Sequence, residues 1–480
     1  MIRPPLPFLL LACWATAGCY LHDEDTSPPE DTAPEYVPCL PVMGVSGEAT
    51  ITPEGPATVA YEFQGWASIV TVDEKSPIPF ASERLLARGA CGTVGILARD
   101  PSDDELPLLY VDVTQPKPVP EIVAESESAL EEAALFYDED CAPVVIRLNA
   151  PDGFLEQVRD PKGTWPEPTE LDVTAGIGGP PTTLGSVEAW TDADGNMHLA
   201  AVATLGANPR IVHGVRAPAA GASWTFEGFE APPITDIATY RTDANGGLHA
   251  VYTITEYPCS PCDVGLYYGY LPLGGVWTET LVEPSVWASP GDEYAYDVSL
   301  VVTSTGLPIF AATWLERART GALSRTQLRV YSVRESTGEW CYETVARESD
   351  TYQGGRGTAF TGVHPNLVLD ATDRPHIVFS DTSLWYDDEA RANAIDGQIR
   401  YAVRTGDRWT VTTLYAQQGQ SESLERLHGL EAPMLAPSAD GTHVVVGGVA
   451  RTWETDSIYN DTPKNVTFQA TVVQADVTQP

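Results

Sequence analysis

The chain has 480 residues, long enough for two or three ordinary domains or one large all-β domain, and its 43% hydrophobic and 9% aromatic content can bury a substantial core, which excludes wholesale disorder. Against 67 acidic residues stand 27 basic ones, giving a formal net charge of -40 and a pI near 4.3. Such a surface repels phosphate backbones and anionic lipid heads, so nucleic acid is excluded as a partner, and cations, neutral glycans or basic proteins are left; the plainest account of the charge is solubility.

At the N-terminus, Arg3 supplies a positive start, Phe8 to Ala15 form an apolar run too short to span a bilayer, and small residues Ala17 and Gly18 precede Cys19. This resembles a bacterial lipoprotein signal, with Thr16-Ala17-Gly18-Cys19 in place of the lipobox, although Thr16 stands where that pattern prefers Leu. The resemblance implies that residues 1–18 are a signal peptide and that Cys19 carries the acyl chains, palmitate among them, that anchor the protein to a membrane. The competing reading is an ordinary secretory signal with an incidental Cys. Tyr20 rather than Asp follows the Cys, which by the same resemblance points to the outer membrane. Residues 19–38 are acidic and rich in Pro and Thr, with little to bury, and read as a disordered tether.

Export into an oxidising compartment suits the cysteines. Once Cys13 and Cys19 are set aside, Cys39, Cys91, Cys141, Cys259, Cys262 and Cys341 remain, an even number with fifteen formal pairings. Cys259 and Cys262 share the short loop Pro258-Cys259-Ser260-Pro261-Cys262 and are expected to form a local disulfide staple. A redox or zinc site is the sharper reading of that spacing, but it would need a helix beneath the first Cys or a second close pair, and neither is evident.

From about residue 117 onward one pattern returns. An apolar run leads into an Asp-rich turn, a second apolar run, a variable loop, a third run and a Gly-containing turn that closes on Trp. It reads as Asp192-Ala193-Asp194-Gly195, His198 and Trp224; as Asp243-Ala244-Asn245-Gly246, His249 and Trp277; as Gly306, Ile309 and Trp340; and as Asp370-Ala371-Thr372-Asp373, His376 and Trp409. A copy at Asp140 and Val144 closes on Trp165, and a last one, with Ser438-Ala439-Asp440-Gly441 and His443, lacks the Trp. The turn residues supply the backbone angles of tight hairpins, and the run after each turn is continuously apolar, as in strands covered on both faces.

Strand, turn, strand, loop, strand, turn, strand, repeated about every sixty residues, is most simply a blade between neighbouring blades. With a faint first unit at about 39–116, the expectation for 39–480 is an all-β β-propeller of seven four-stranded blades; solenoids and paired β-sandwiches are the competing architectures. The pentapeptide Asp112-Val113-Thr114-Gln115-Pro116, repeated at Asp476 to Pro480, is read as the close of the first and last units. The repeats resemble bacterial propellers of the sialidase-like or BNR-like kind, but the Asp-box of sialidases is not reproduced at any turn.

No nucleophile elbow, HExxH, Walker loop or dinucleotide fingerprint is present, and no cofactor is expected. The recurring His position also holds Val144 and Ile309, so it reads as a packing slot and no metal is expected there. Asp192-x-Asp194-Gly195 begins like a calcium loop, but Ala203 stands where the bidentate Glu belongs. Insertions fall between second and third strands, at Glu256 to Asp263, Glu316 to Arg325, Asp381 to Asp396 and Thr452 to Lys464, all on one face of a propeller. Trp314, Trp385, Tyr386, Trp453 and Tyr459 lie at these loop roots and are the candidate binding residues. The expectation is a monomer that binds a glycan or protein partner through its long-loop face without catalysis; the alternative is a glycoside hydrolase or lyase acting in the channel.

Overall fold

The computed structural model describes residues 38–41, 49–54, 58–65, 86–89, 91–99, 107–115, 117–124, 133–149, 153–192, 194–206, 208–218, 222–230, 238–254, 264–285, 293–316, 325–334, 336–347, 359–387, 392–419, 427–438, 441–454 and 464–478. In these residues the strands form seven antiparallel sheets in a ring, a seven-bladed β-propeller. The first strands are Leu86–Arg88, Ala133–Tyr137, Thr183–Thr191, Ala238–Thr242, Glu293–Val302, Ala359–Leu369 and Leu427–Pro437. Each touches the first strand of the next blade, and the seventh touches the first, so the circle closes. Outermost strands such as Thr225–Glu230 and Thr278–Pro284 are largely exposed.

Second strands explain why the chain folds this way. Leu248–Ile254 is buried at every position, and Leu199, Val251 and Phe379 are 1%, 0% and 0% exposed. A strand sandwiched by blades on both sides has no polar face to alternate with. Side chains from consecutive blades therefore share each core, as where Trp190, Ala200 and Ile211 of blade 3 meet Tyr240, Leu248 and Tyr252 of blade 4.

The closing Trp has a second task at these seams. Trp165 Nε1 donates to Glu121 of the preceding blade at 3.1 Å, Trp224 to Glu156 at 3.2 Å and Trp409 to Glu343 at 2.9 Å. The same carboxylates pair with Arg159, Arg216 and Arg404, so each seam carries a Glu–Arg–Trp triad. Arg329 makes a comparable pair across a seam with Glu283, and Arg400 pairs with Asp381 within blade 6. Arg404 is fully buried in its pair with Glu343.

Ring closure differs from the sequence expectation. Blade 7 takes three strands from the C-terminal part, Leu427–Pro437, His443–Glu454 and Lys464–Thr478, and its outer edge pairs with Thr50–Pro53 and Thr58–Gly65 from the N-terminal part. The segment Val59 to Phe63 therefore belongs to the last blade, and blade 1 begins at Leu86. The two pentapeptides hold equivalent places, since each follows or ends a third strand rather than closing a unit; in blade 1 the fourth strand, Glu121–Ala124, is still to come. Such a clasp joins distant parts of the chain in one sheet, so ring opening must break a whole strand's ladder.

Two disulfides reinforce the ring. Cys91–Cys141 joins blade 1 to blade 2, and Cys39–Cys341 ties the segment before the clasp to blade 5 across a separation of 302 residues. That segment is also held by polar groups. Buried Glu343 accepts from the Cys39 and Leu40 amides, while Arg404 donates to the carbonyls of Leu40 and Pro41. Cys259 and Cys262 lie outside the described residues, as does Cys19. No helix among the described residues is long and apolar enough to cross a membrane.

Candidate functional site

The turns that join first to second strands all emerge on one face, and in blades 3, 4 and 6 their chemistry is built from the Asp that opens them. Asp192 Oδ1 accepts from the amides of Asp194 and Asn196, and Oδ2 faces His198 Nε2 at 3.0 Å. Asp243 repeats this with Asn245, Gly247 and His249, and Asp370 with Thr372, Arg374 and His376. The spacing from Asp to His is six residues in all three. The recurring His is therefore a turn lock as well as a packing residue, and its other nitrogen reaches the third strand, at His213, the Tyr268 hydroxyl or the Tyr401 hydroxyl.

Strand register identifies the equivalent position in every blade. Trp190 faces His198, Phe136 faces Val144, Val301 faces Ile309 and Val368 faces His376; in blade 7, Ala436 faces Val445. His443 is thus outside the column in which the sequence placed it. The turn of blade 7 closes one residue later, with the Ser438 amide bonded to the His443 carbonyl, whereas the Asp370 amide bonds to Arg374.

Over blades 3 to 6 these turns rim a cavity of about 1000 Å³. One wall is an aromatic cluster. The rings of Trp190, His198 and His213 lie within 8° of parallel with centroids 5.2, 5.3 and 6.0 Å apart, so Trp190 lies alongside the hydrogen-bonded His pair, and Trp190 Nε1 donates to Thr242 Oγ1. Phe229, Leu271 and Leu273 add apolar surface, and Asp194, Glu227 and Ser304 add polar groups. Arg241 also lines the cavity, but its guanidinium is paired with Glu188 and lies over the Trp190 ring. Asp373 accepts from the Ser304 amide at 2.8 Å and from its hydroxyl, which fixes the turns of blades 5 and 6 to each other.

Protonation follows from these contacts. Burial pushes the carboxyls of Asp192, Asp243 and Asp370 up, but the hydrogen bonds from their turns and His partners outweigh it and hold all three below the usual carboxylate range. Burial, aided by the neighbouring His198, pushes His213 down to about 3. A carboxylate at Nε2 of His198 favours a proton there, which makes Nδ1 an acceptor for His213 Nε2–H and leaves His213 Nδ1 unprotonated.

The expected binding residues fare differently. Trp314 is corrected: at 2% exposure it packs with Val251, Phe310 and Ala312 beneath the Arg329 guanidinium, and no ligand can stack on it. Trp385 and Tyr386 lie on a hairpin whose strands, Pro375–Asp387 and Ala392–Thr405, extend through most of the expected Asp381 to Asp396 loop. Trp453 sits near the end of His443–Glu454. The side chains of these three, and all of Tyr459, lie outside the described residues. The cavity occupies the short-turn face, opposite to the second-to-third connections. Sequence reasoning missed Trp190, His213 and Phe229, although the six-residue Asp-to-His spacing could have marked the rim.

No protein-family model matches the chain, and no curated protein does. Similar solved structures include the polysaccharide lyase Uly1, at 10% identity over 89% of this chain and 99% of that one, with a TM-score of 0.48. An α-L-arabinanase of Penicillium chrysogenum complexed with arabinobiose shows 10% identity over 87% and 98%, with a TM-score of 0.36. The WD40 domain of SCAP from fission yeast shows 9% identity over 90% and 94%, with a TM-score of 0.35. Similarity this distant carries no functional argument, so the functional reading rests on the cavity.

Proposed function

We propose that this protein is a carbohydrate-binding propeller that holds a neutral saccharide in the short-turn cavity of blades 3 to 6. The cavity carries the reading: it sets apolar surface from Phe229 and Leu273 beside acceptors at Asp194, Glu227 and His213, the mixture that a sugar ring with one apolar face and a rim of hydroxyls requires. The overall charge of -40 disfavours anionic saccharides.

Hydrolysis or elimination in the same cavity is the second reading, and the Asp192–His198–His213 chain is what favours it. Two features weigh against it. A glycosidase needs a carboxyl that keeps its proton, and the three turn aspartates are held ionised. A lyase base works best with a pKa near the working pH, and an imidazole at about 3 accepts a hydrogen bond readily but holds a proton poorly.

The test is a glycan array probed with the full chain in detergent, followed by a panel of glycoside and uronide substrates. Binding to neutral glycans that falls at least about tenfold in Phe229→Ala and Asp194→Ala, without turnover, supports the proposal. Binding that survives both changes but is lost in Trp385→Ala or Trp453→Ala returns the site to the long-loop face, and released product establishes an enzyme. We also propose the acylated Cys19 as an outer-membrane anchor, supported by the lipobox-like sequence; labelling with a palmitate analogue that persists in Cys19→Ala sinks that assignment.

A further inference from the structure

The seam where the ring closes carries a second constellation, independent of the cavity. Glu54 directly follows the clasp strand Thr50–Pro53, His443 opens the second strand of blade 7 and Asp476 lies near the end of its third. His443 and Asp476 are direct cross-strand partners, and Thr52 stands opposite Asp476 on the other side. With a side-chain period of two, Glu54 falls on the same face as Thr52. His443 Nδ1 is 2.5 Å from Asp476 Oδ1 and 3.5 Å from Glu54 Oε1, and the three donor atoms lie within 4.8 Å of one another.

Two observations separate this cluster from the His locks elsewhere. His443 has no turn Asp to bind: Ser438 stands in that place and takes the His443 amide, Val445 fills the packing slot, and the imidazole faces outward with its side chain 57% exposed. Asp476, its side chain 46% exposed, sets Oδ1 against the same imidazole nitrogen that faces Glu54 Oε1, so two carboxylates converge on one ring nitrogen at the surface. Two like charges held this close repel, and a cation between them would offset that repulsion.

We propose that Glu54, His443 and Asp476 bind a divalent transition-metal ion of the zinc class, which staples the clasp to blade 7. One imidazole nitrogen and two carboxylate oxygens favour such ions over calcium or magnesium, which take all-oxygen sets. Three protein ligands leave room for water in the fourth position. Donors bound to zinc at about 2.0–2.2 Å stand roughly 3.3 Å apart, so rotations of these exposed side chains by about 1 Å complete the site. The ligands come from both ends of the folded chain, so the ion binds the closed ring and shifts the unfolding equilibrium by mass action.

The experiment is calorimetric titration and thermal unfolding of the full chain, free of any polyhistidine tag, with zinc, nickel or calcium chloride. One equivalent of zinc is bound and Tm rises by at least about 2 °C. Both effects vanish in His443→Ala and Asp476→Asn, whose metal-free Tm stays near that of the wild type, and both persist in the cavity variant Asp194→Asn. The absence of stoichiometric zinc binding, an undiminished shift in His443→Ala, or an equal shift with calcium overturns the proposal; the last outcome marks general screening of an acidic surface.

Discussion

Blades 6 and 7 share a strand order, yet their first turns are built on different chemistry. In blade 6, Asp370 and His376 are both wholly buried, and the Asp370 carboxylate gathers two backbone amides, the Thr372 hydroxyl, Arg374 and the imidazole. In blade 7, Ser438 replaces the Asp, the turn gains a residue, and His443 is displaced to the surface beside Asp476. In blades 3, 4 and 6 the turn carboxylate is paired with a His beneath it, whereas blade 7 has lost the carboxylate and carries its His on the surface. The locked turns border the cavity; the open one borders the clasp.

The contrast can be broken most forcefully at Asp370. Asp370→Ala strands Arg374, His376 and two amides in the interior and should cost about 3–5 kcal/mol, whereas Ser438→Ala should cost about 1 kcal/mol. Urea unfolding followed by tryptophan fluorescence checks both, and equal losses would show that the two turns are alike. Next in size is Trp409→Phe, which removes a donor from buried Glu343 at the seam of blades 5 and 6 and should cost about 2 kcal/mol by the same measurement. Blade 7 has no such Trp and no matching cost.

Acid sharpens the comparison further. Burial holds His213, His249 and His376 below the ordinary imidazole value, against the pull of an Asp in the last two. The unfolded chain therefore binds more protons than the folded one below about pH 6.5, and the stability these groups contribute above that pH is lost as pH falls toward their folded values. Tm should decline between pH 7 and pH 5, with a shallower slope in His213→Phe. Smallest of all, metal-free His443→Ala should change stability by less than about 0.5 kcal/mol in urea unfolding, and a loss as large as that of Asp370→Ala would erase the contrast between the two blades.

Local features were legible in the sequence. Turn, buried second strand and closing Trp recur within about sixty residues, and neighbouring blades impose the same demands on each copy, so the propeller and its hidden strands at Leu199, Val251 and Phe379 could be read directly. The clasp could not, because the pairing of Thr50 with Thr478 links segments whose own patterns do not name each other. His443 was misplaced because counting from the turn misses one inserted residue, which only strand register reveals. Trp314 escapes the sequence for a related reason: nearness to an insertion does not say whether a position is covered, and Trp314 lies on a second strand covered on both faces, with adjacent Thr313 buried as well. The cavity, assembled from turns of four blades far apart in the chain, had only the Asp-to-His spacing to announce it.

The most direct measurement is the affinity of the strongest array glycan for Leu273→Trp, determined by calorimetric titration beside the wild type. Leu273 is 79% exposed on a turn that lines the cavity, so the larger ring can obstruct the opening without disturbing the core. At least about tenfold weaker binding at unchanged Tm is the result predicted here, equivalent to about 1.4 kcal/mol. Unchanged affinity would contradict it and place the saccharide elsewhere on the protein.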